Sequence, residues 1–270
     1  MNVIKWADRF STSVFKMLKA NFELGNLLAA INEIEITNKF VRDLAILSSL
    51  QESDFSAFRI WHSKSESTNG NDIEIIIEVS SGKFVLFPCQ CKRVFFKNDR
   101  SYYNKLWYST DKHGFQIENL LNYAKRTNGI PVYMLYNFVN NIETSEKNGV
   151  TLCSASFIAN QYYFIDDYPP ELFYEDLHPP AVTLSSFLDE LSLLIDPYIK
   201  YEVRKYDLNE LTSVPGWLEI NPPVEYSDTR FIKTKPINFE ENKRIRTDFS
   251  PKFRIMITLK EYKHRTINFR

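Results

Sequence analysis

Three residues that could do chemistry together stand at the ends of two predicted strands. Asp72 opens an Ile-rich stretch, residues 72–79 (DIEIIIEV), and Gln90 and Lys92 close the next one, residues 84–94 (FVLFPCQCKRV). A short turn joins the two stretches, so the spacing predicts an antiparallel hairpin. Side chains alternate along a strand, so Gln90 and Lys92 share one face, and the hairpin brings Asp72 close to Gln90.

An acid, an amide and an amine on one face suit the hydrolysis of a phosphodiester. Mg²⁺ binds carboxylate and carbonyl oxygens and keeps several waters, so Asp72 would be its anchoring ligand. Gln90 would add a neutral oxygen, which is a weaker ligand than a carboxylate. A metal ion lowers the pKa of a bound water, and Lys92 could orient that water or neutralise charge that develops on the phosphate.

The order of these motifs resembles the PD-(D/E)XK, or restriction-endonuclease-like, nuclease superfamily. The motifs are GND at residues 70–72, QCK at 90–92 and a helix that opens with Gln116, preceded by a helix that carries Glu33. Together with EIEIT and VYMLYN, they also look like an uncharacterised bacterial family with this fold. The similarity covers roughly residues 30–140.

The resemblance implies specific roles. Asp72, Gln90 and Glu33 would hold Mg²⁺ or Mn²⁺, with Glu35 as the second choice for the helix acid. Lys92 would serve catalysis, and Gln116 would align the substrate or the lysine. The sequence departs from the superfamily in two places, with Gln90 in place of an acid and Asn71 where proline is frequent.

Basic and aromatic residues alternate just after the lysine. Residues 92–108 include Arg93, Tyr102 and Tyr103, which we assign to substrate binding. Basic side chains can hold phosphates while aromatic rings stack on bases. Packing of these rings in the core is the alternative explanation.

Other polar residues of the hairpin are given structural roles. Glu74 lies on the side of Asp72 and could add a ligand, but we expect it to face solvent. Cys89 and Cys91 lack the further Cys or His pair that a closed zinc site needs, so they are predicted to be small buried residues.

The remaining pattern predicts an α/β fold with a central mixed β-sheet flanked by helices. The apolar spacing predicts helices over residues 3–31, with Gly25 as a point of interruption, and over residues 33–50, 116–125 and 184–195. Thr37 and Thr183 are the expected N-caps of the second and fourth. Further strands are predicted over residues 58–63, 132–138 and 253–259.

Charge is distributed unevenly along the chain. Net charge is −1, but residues 225–270 carry 12 Lys or Arg against 6 Asp or Glu. We therefore divide the chain into a restriction-endonuclease-like domain, residues 1–200, and a basic C-terminal extension, residues 201–270. Three cysteines without a framework spacing favour a reducing compartment, and no apolar run is long enough to span a bilayer, so a cytoplasmic location is expected.

The sequence thus predicts a metal-dependent endonuclease that acts on DNA. A role in bacterial anti-phage defence follows from analogy alone. The alternatives are a non-catalytic nucleic-acid-binding module on the same fold and a module that binds a partner protein. A homodimer is left open.

Overall fold

The fold was analysed in a computed structural model of the 270-residue chain. It describes residues 2–25, 31–50, 55–63, 73–80, 83–98, 100–104, 106, 109–110, 114–140, 144–165, 169–191, 217–220 and 253–259.

Four helices of seven or more residues and two single-turn helices are present in the described residues. They are α1 (Val3–Glu23), α2 (Glu33–Ser49), α3 (Gln116–Thr127), α4 (Ala155–Ile158), α5 (Tyr174–Leu177) and α6 (Leu184–Glu190). A 3-10 turn at Glu146–Gly149 and a π turn at Ala159–Tyr163 complete the helical segments.

The strands are numbered in chain order. They are β1 (Phe55–Ser63), β2 (Ile73–Ser80), β3 (Lys83–Lys97), β4 (Arg100–Asn104), β5 (Ser109–Thr110), β6 (Gly114–Phe115), β7 (Val132–Tyr136), β8 (Val150–Ser154), β9 (Glu171–Phe173), β10 (Val182–Thr183), β11 (Trp217–Ile220) and β12 (Phe253–Leu259).

The central sheet is mixed and open. Its strand order is β10-β8-β7-β3-β2-β12-β1-β11, and β4 extends it by pairing with both β3 and β9. Two neighbouring pairs are parallel, β3 with β7 and β12 with β2, and the other pairs are antiparallel. The parallel β3–β7 pair requires a long crossover, which α3 supplies.

Helices cover both faces of this sheet. On one face, Thr37 of α2 hydrogen-bonds to Tyr136 of β7 (2.8 Å between the hydroxyl oxygens), and the Tyr136 hydroxyl also contacts Cys91 of β3 (3.5 Å). On the other face, α3 reaches β3 and β2 through Gln116 and Tyr123. The α/β class with a mixed sheet flanked by helices is therefore confirmed.

The main core forms where the apolar stripes of the helices meet the sheet. In α2 the buried residues recur at three and four positions, as an amphipathic helix requires: Ile36, Phe40, Leu44 and Leu47. Cys89, Cys91 and Cys153 are also buried, which confirms that the two hairpin cysteines are core residues.

Several predicted boundaries change. The first helix ends at Glu23, beside the interruption predicted near Gly25, which has a positive φ of 63°. The cap of α2 is Asn32, whose side chain accepts the Glu35 backbone N–H at 2.8 Å, while the Glu35 carboxylate accepts the Asn32 N–H. The predicted cap, Thr37, lies inside the helix and bonds to Tyr136 instead. Thr183 does cap α6, accepting the Ser186 N–H.

The described parts of residues 201–270 belong to the central sheet. Strand β11 pairs with β1, and β12 lies between β1 and β2. The predicted strand at 253–259 is confirmed.

Among the described helices, none combines the length and the apolar character needed to cross a lipid bilayer.

Candidate functional site

Gln90 and Lys92 lie on one face in the middle of the central sheet. Strand β3 is held between β2 and β7, and its side chains alternate, so Cys89 and Cys91 occupy the opposite face. Both polar residues are almost completely covered, with 2% of Gln90 and 6% of Lys92 exposed. A lysine with so little exposure is unusual and needs a polar partner for its ammonium group.

Helix α3 provides that partner. The Lys92 ammonium donates a hydrogen bond to the side-chain carbonyl oxygen of Gln116, with 2.9 Å between Nζ and Oε1. Gln116 is the first residue of α3, so its position is set by the packing of that helix on the sheet. The predicted pairing of Gln116 with the lysine strand is therefore seen, and it fixes the direction of the Lys92 side chain.

Glu33 approaches the same strand from the other helix. It is the first residue of α2, and its Oε1 accepts the backbone N–H of Arg93 at 3.1 Å. Burial lowers the pKa of the Arg93 guanidinium, and the Glu33 carboxylate opposes that shift. The structure thus brings Glu33 to the residue next to Lys92, at the point where β3 leaves the central sheet to pair with β4.

Asp72 lies outside the described residues. The described ladder between β2 and β3 starts at Ile73, which is paired with Cys89. The sequence neighbours of this pair are Asp72 and Gln90. The antiparallel hairpin that the sequence predicts is therefore confirmed up to the residue beside the acid.

The sequence missed a buried polar cluster next to this hairpin. Glu74 is fully buried, contrary to the expectation that it faces solvent. One of its oxygens accepts the Arg254 guanidinium N–H from β12, and the other accepts the Tyr123 hydroxyl from α3, both at 2.5 Å. Two features of the sequence could have indicated this cluster: Glu74 stands between isoleucines, and Arg254 is the one charged residue of the strand FRIMITL.

The electrostatics of this cluster are internally balanced. Burial raises the pKa of Tyr123 well above its ordinary value, and the adjacent Glu74 carboxylate adds to the shift. Burial alone would lower the pKa of Arg254, but Glu74 and Tyr123 raise it overall. Both oxygens of Glu74 are engaged, so the cluster holds three elements together rather than offering an empty ligand.

The three residues assigned to substrate binding differ in burial. Tyr103 is buried in the core, where its hydroxyl donates to the Asn137 side chain, so it is removed from the candidate surface. Sequence alternation explains the correction, because Tyr103 points inward while its neighbour Tyr102 points outward. Arg93 and Tyr102 are half-buried and remain accessible.

The available ligands suit a hard cation only in part. Gln90 and Glu33 offer oxygen atoms, the kind that Mg²⁺ prefers. In the part of the chain that the structure describes, however, no group of three or more His, Cys, Asp or Glu residues is placed to hold a metal ion. Glu33 belongs to α2, which packs on the Cys91 face, so a metal site on the Gln90 face would depend on Asp72.

Comparison with known proteins gives a family and no further relatives. No curated protein and no solved structure matches the chain at a significant level. A family of unknown function, DUF6615, matches residues 3–235, which cover most of the sequence and include every residue of the candidate site; Arg254 and the rest of β12 lie beyond the match. The chain is therefore a member of the DUF6615 family.

Proposed function

We propose that the chain is a metal-dependent nuclease of the restriction-endonuclease-like type, with its centre on the face of β3 that carries Gln90 and Lys92. The observation that carries the proposal is the buried Lys92 ammonium, held by Gln116 and two residues from Gln90 on the same face. A protein gains little stability from burying a lysine in this way, so a chemical role is the better explanation.

The order of elements supports the same proposal. The acid-bearing α2 is followed by β1, the β2–β3 hairpin, the short strands β4 to β6, α3 and β7. This is the order on which the resemblance to PD-(D/E)XK nucleases rests, and α2, β3 and α3 carry Glu33, Gln90 with Lys92, and Gln116. Asp72 precedes Ile73, the residue at which the described β2–β3 ladder begins.

In this proposal Asp72, Gln90 and Glu33 would hold Mg²⁺ or Mn²⁺. The metal ion would supply Lewis acidity and a bound water of lowered pKa. Lys92 would direct its positive charge at the phosphate oxygen on which negative charge develops. Gln116 would keep the ammonium in place before the substrate arrives, so little reorganisation is needed during the reaction.

A second function, nucleic-acid binding without cleavage, is favoured by one observation. Position 90 carries a neutral amide, and the nearest buried acid on the same face, Glu74, is already neutralised by Arg254. A site with fewer negative ligands binds a divalent cation more weakly.

The experiment that separates the two is a nuclease assay on supercoiled plasmid, linear DNA and RNA with Mg²⁺ or Mn²⁺. The variants are Asp72→Asn, Lys92→Met and Gln116→Leu, which preserve approximate side-chain size. Lys125→Ala is the matched control, because Lys125 is exposed on α3 and lies outside the site. We expect Lys92→Met to lower kcat about 10²–10³-fold and Gln116→Leu to lower it less, since Gln116 acts through Lys92.

Metal-dependent cutting that survives in folded Asp72→Asn and Lys92→Met would reject this site. Binding of nucleic acid by a wild-type protein that never cuts would favour the second function. DNA is the preferred substrate in our proposal. The buried thiols suit the cytoplasm, and a defence role in bacteria is the biological setting we infer.

A further inference from the structure

A row of three aromatic rings crosses the small sheet that β3 forms with β4 and β9. Phe95 of β3 pairs with Tyr102 of β4, and Tyr102 pairs with Phe173 of β9. Paired residues of neighbouring strands point to the same face, so the three side chains stand side by side. The ring centroids of Phe95 and Tyr102 are 6.0 Å apart. We call Phe95, Tyr102 and Phe173 the aromatic row.

The aromatic row is only half-buried, while the opposite face of the same strands is part of the core. Val94, Tyr103 and Leu172 are paired in the next positions of the three strands and are all buried. The strands that carry the aromatic row are therefore fixed by core packing on their opposite face, and the row keeps its geometry without a ligand. Partly exposed rings on a fixed sheet face are a surface on which flat groups can stack.

An arginine lies over each end of the row. The Arg93 guanidinium is 4.1 Å from the centre of the Phe95 ring, and the Arg100 guanidinium is 3.7 Å from that of Phe173. Arginine on an aromatic ring keeps its N–H groups directed outward, where they can bind phosphate, and its own plane can also stack on a base.

The charged residues around the row favour an anionic ligand. Arg93, Lys97 and Arg100 share the face of the row with two acids. These acids form exposed ion pairs, Lys97 with Glu171 (3.3 Å) and Arg100 with Glu175 (3.5 Å). Exposed pairs contribute little stability, so a phosphate can replace the carboxylates at small cost.

We propose that the aromatic row binds single-stranded nucleic acid, with bases stacked on the rings and phosphates held by Arg93 and Arg100. A duplex keeps its bases stacked on each other, so only an unpaired strand can offer them to this surface. The inference rests on the proposed nuclease function and narrows its substrate. Phe95 lies three residues after Lys92 on β3, about 10 Å along the strand, and alternation places its side chain on the opposite face from Lys92, the face of Arg93.

The test is binding in excess EDTA, where no cutting occurs, measured by fluorescence anisotropy with the full chain. The probes are a labelled oligothymidylate of about 12 nucleotides, an abasic strand of the same length and a duplex of the same length. The variants are Tyr102→Ala and Phe95→Ala, each checked by thermal unfolding. Phe164→Ala is the matched control, because Phe164 is 60% exposed and lies outside the row.

We expect the oligothymidylate to bind more tightly than the duplex or the abasic strand. Tyr102→Ala should weaken its binding about 5- to 150-fold, which corresponds to the loss of one stacked base, and Tyr102→Phe should restore it. Phe164→Ala should bind as the wild type does. Equal binding of the abasic strand, preference for the duplex, or unchanged affinity in folded Tyr102→Ala would each overturn the inference. A wild type that binds none of the probes would do so too, and would point to a protein partner.

These outcomes are separable from those of the nuclease assay. Stacking-dependent binding by a chain that never cuts would support the aromatic row and reject the nuclease function. Metal-dependent cutting of duplex DNA without single-strand binding would do the reverse.

Discussion

Two buried basic side chains on the same side of the sheet have different partners and, we argue, different purposes. Lys92 has a neutral partner, the Gln116 carbonyl oxygen, so its positive charge is not cancelled by that contact. Arg254 has a fully buried carboxylate as its partner and a tyrosine beside it. The first arrangement leaves charge available for a substrate, whereas the second uses charge to join strands.

The pair of Glu74 and Arg254 gives a prediction for stability. Arg254→Met should destabilise the chain by about 3–5 kcal/mol, because it leaves the Glu74 carboxylate buried without its cation. Glu74→Gln should also destabilise, whereas the double variant should cost less than the sum of the two. Urea unfolding of the four proteins measures the coupling, and purely additive losses would show that the two groups act independently.

At the residue scale, the side-chain orientations that follow from alternation along one strand were predictable from the sequence. The burial of a residue whose partner lies far away in the chain was not. The shared face of Gln90 and Lys92 and the burial of Cys89 follow from period two along one strand. The burial of Glu74 does not, because its cation lies on a strand far along the chain that no local pattern connects to it.

At the scale of elements, α1 and the 3-10 turn before β8 approach each other closely at Gly149. A Cβ added to Gly149 would lie 2.0 Å from the Ser11 backbone oxygen and 2.8 Å from the Phe15 backbone nitrogen. Only glycine lets the turn come this close to the helix. The contact is between two backbones, so no side chain can rotate to relieve it.

Gly149→Ala should therefore destabilise the chain by about 1–3 kcal/mol or more, since α1 must move away from the turn. Thermal or urea unfolding checks this. Glu146→Ala in the same turn is the control, because its ion pair with Lys16 is exposed and should change stability by less than about 1 kcal/mol. Equal stability of the two variants would contradict the packing described here.

Element types were more predictable than their ends. Hairpin spacing and amphipathic periodicity identified β2, β3, α2 and α3 because these signals are repeated several times within each element. The start of α2 at residue 33 was predicted, but its N-cap was misassigned, because Asn32 and Thr37 both have side chains that can cap a helix. Only the tertiary contact of Thr37 with Tyr136 decides between them.

At the scale of the whole molecule, the reactivity of the three cysteine thiols measures whether the core is open to solvent. Cys89, Cys91 and Cys153 are buried, and burial raises the pKa of Cys153 to about 12. The thiolate is the reactive form, so near pH 8 the folded chain should react with a thiol reagent far more slowly than a free cysteine does.

Mass spectrometry after brief alkylation should find the native chain unmodified and the chain in denaturant with three adducts. Intermediate urea concentrations should give a mixture of these two species as the chain unfolds cooperatively. Rapid labelling of any one cysteine in the absence of denaturant would mean that part of the core opens locally.

The overall topology was predictable only in class. Alternating helices and strands indicated an α/β fold, and the Pro131 strand fits beside β3 as a buried parallel strand. The position of β12 could not be predicted, because FRIMITL would suit any interior place in a sheet. Its insertion between β1 and β2 is decided by pairing on both sides and by the contact of Arg254 with Glu74.

Because β12 lies between β1 and β2, the central sheet cannot be completed until late in biosynthesis. The ribosome makes β1 and β2 early, but the strand that joins them arrives only after more than half of the sequence has followed. At about 5–20 residues per second, the interval lasts roughly 10–30 seconds. During this interval the edge of β2 that later pairs with β12 is free to pair with another nascent chain. The Glu74 carboxylate also lacks Arg254, its partner in the folded chain. Ribosome-associated chaperones are thus expected to matter more for this protein than its size alone would suggest.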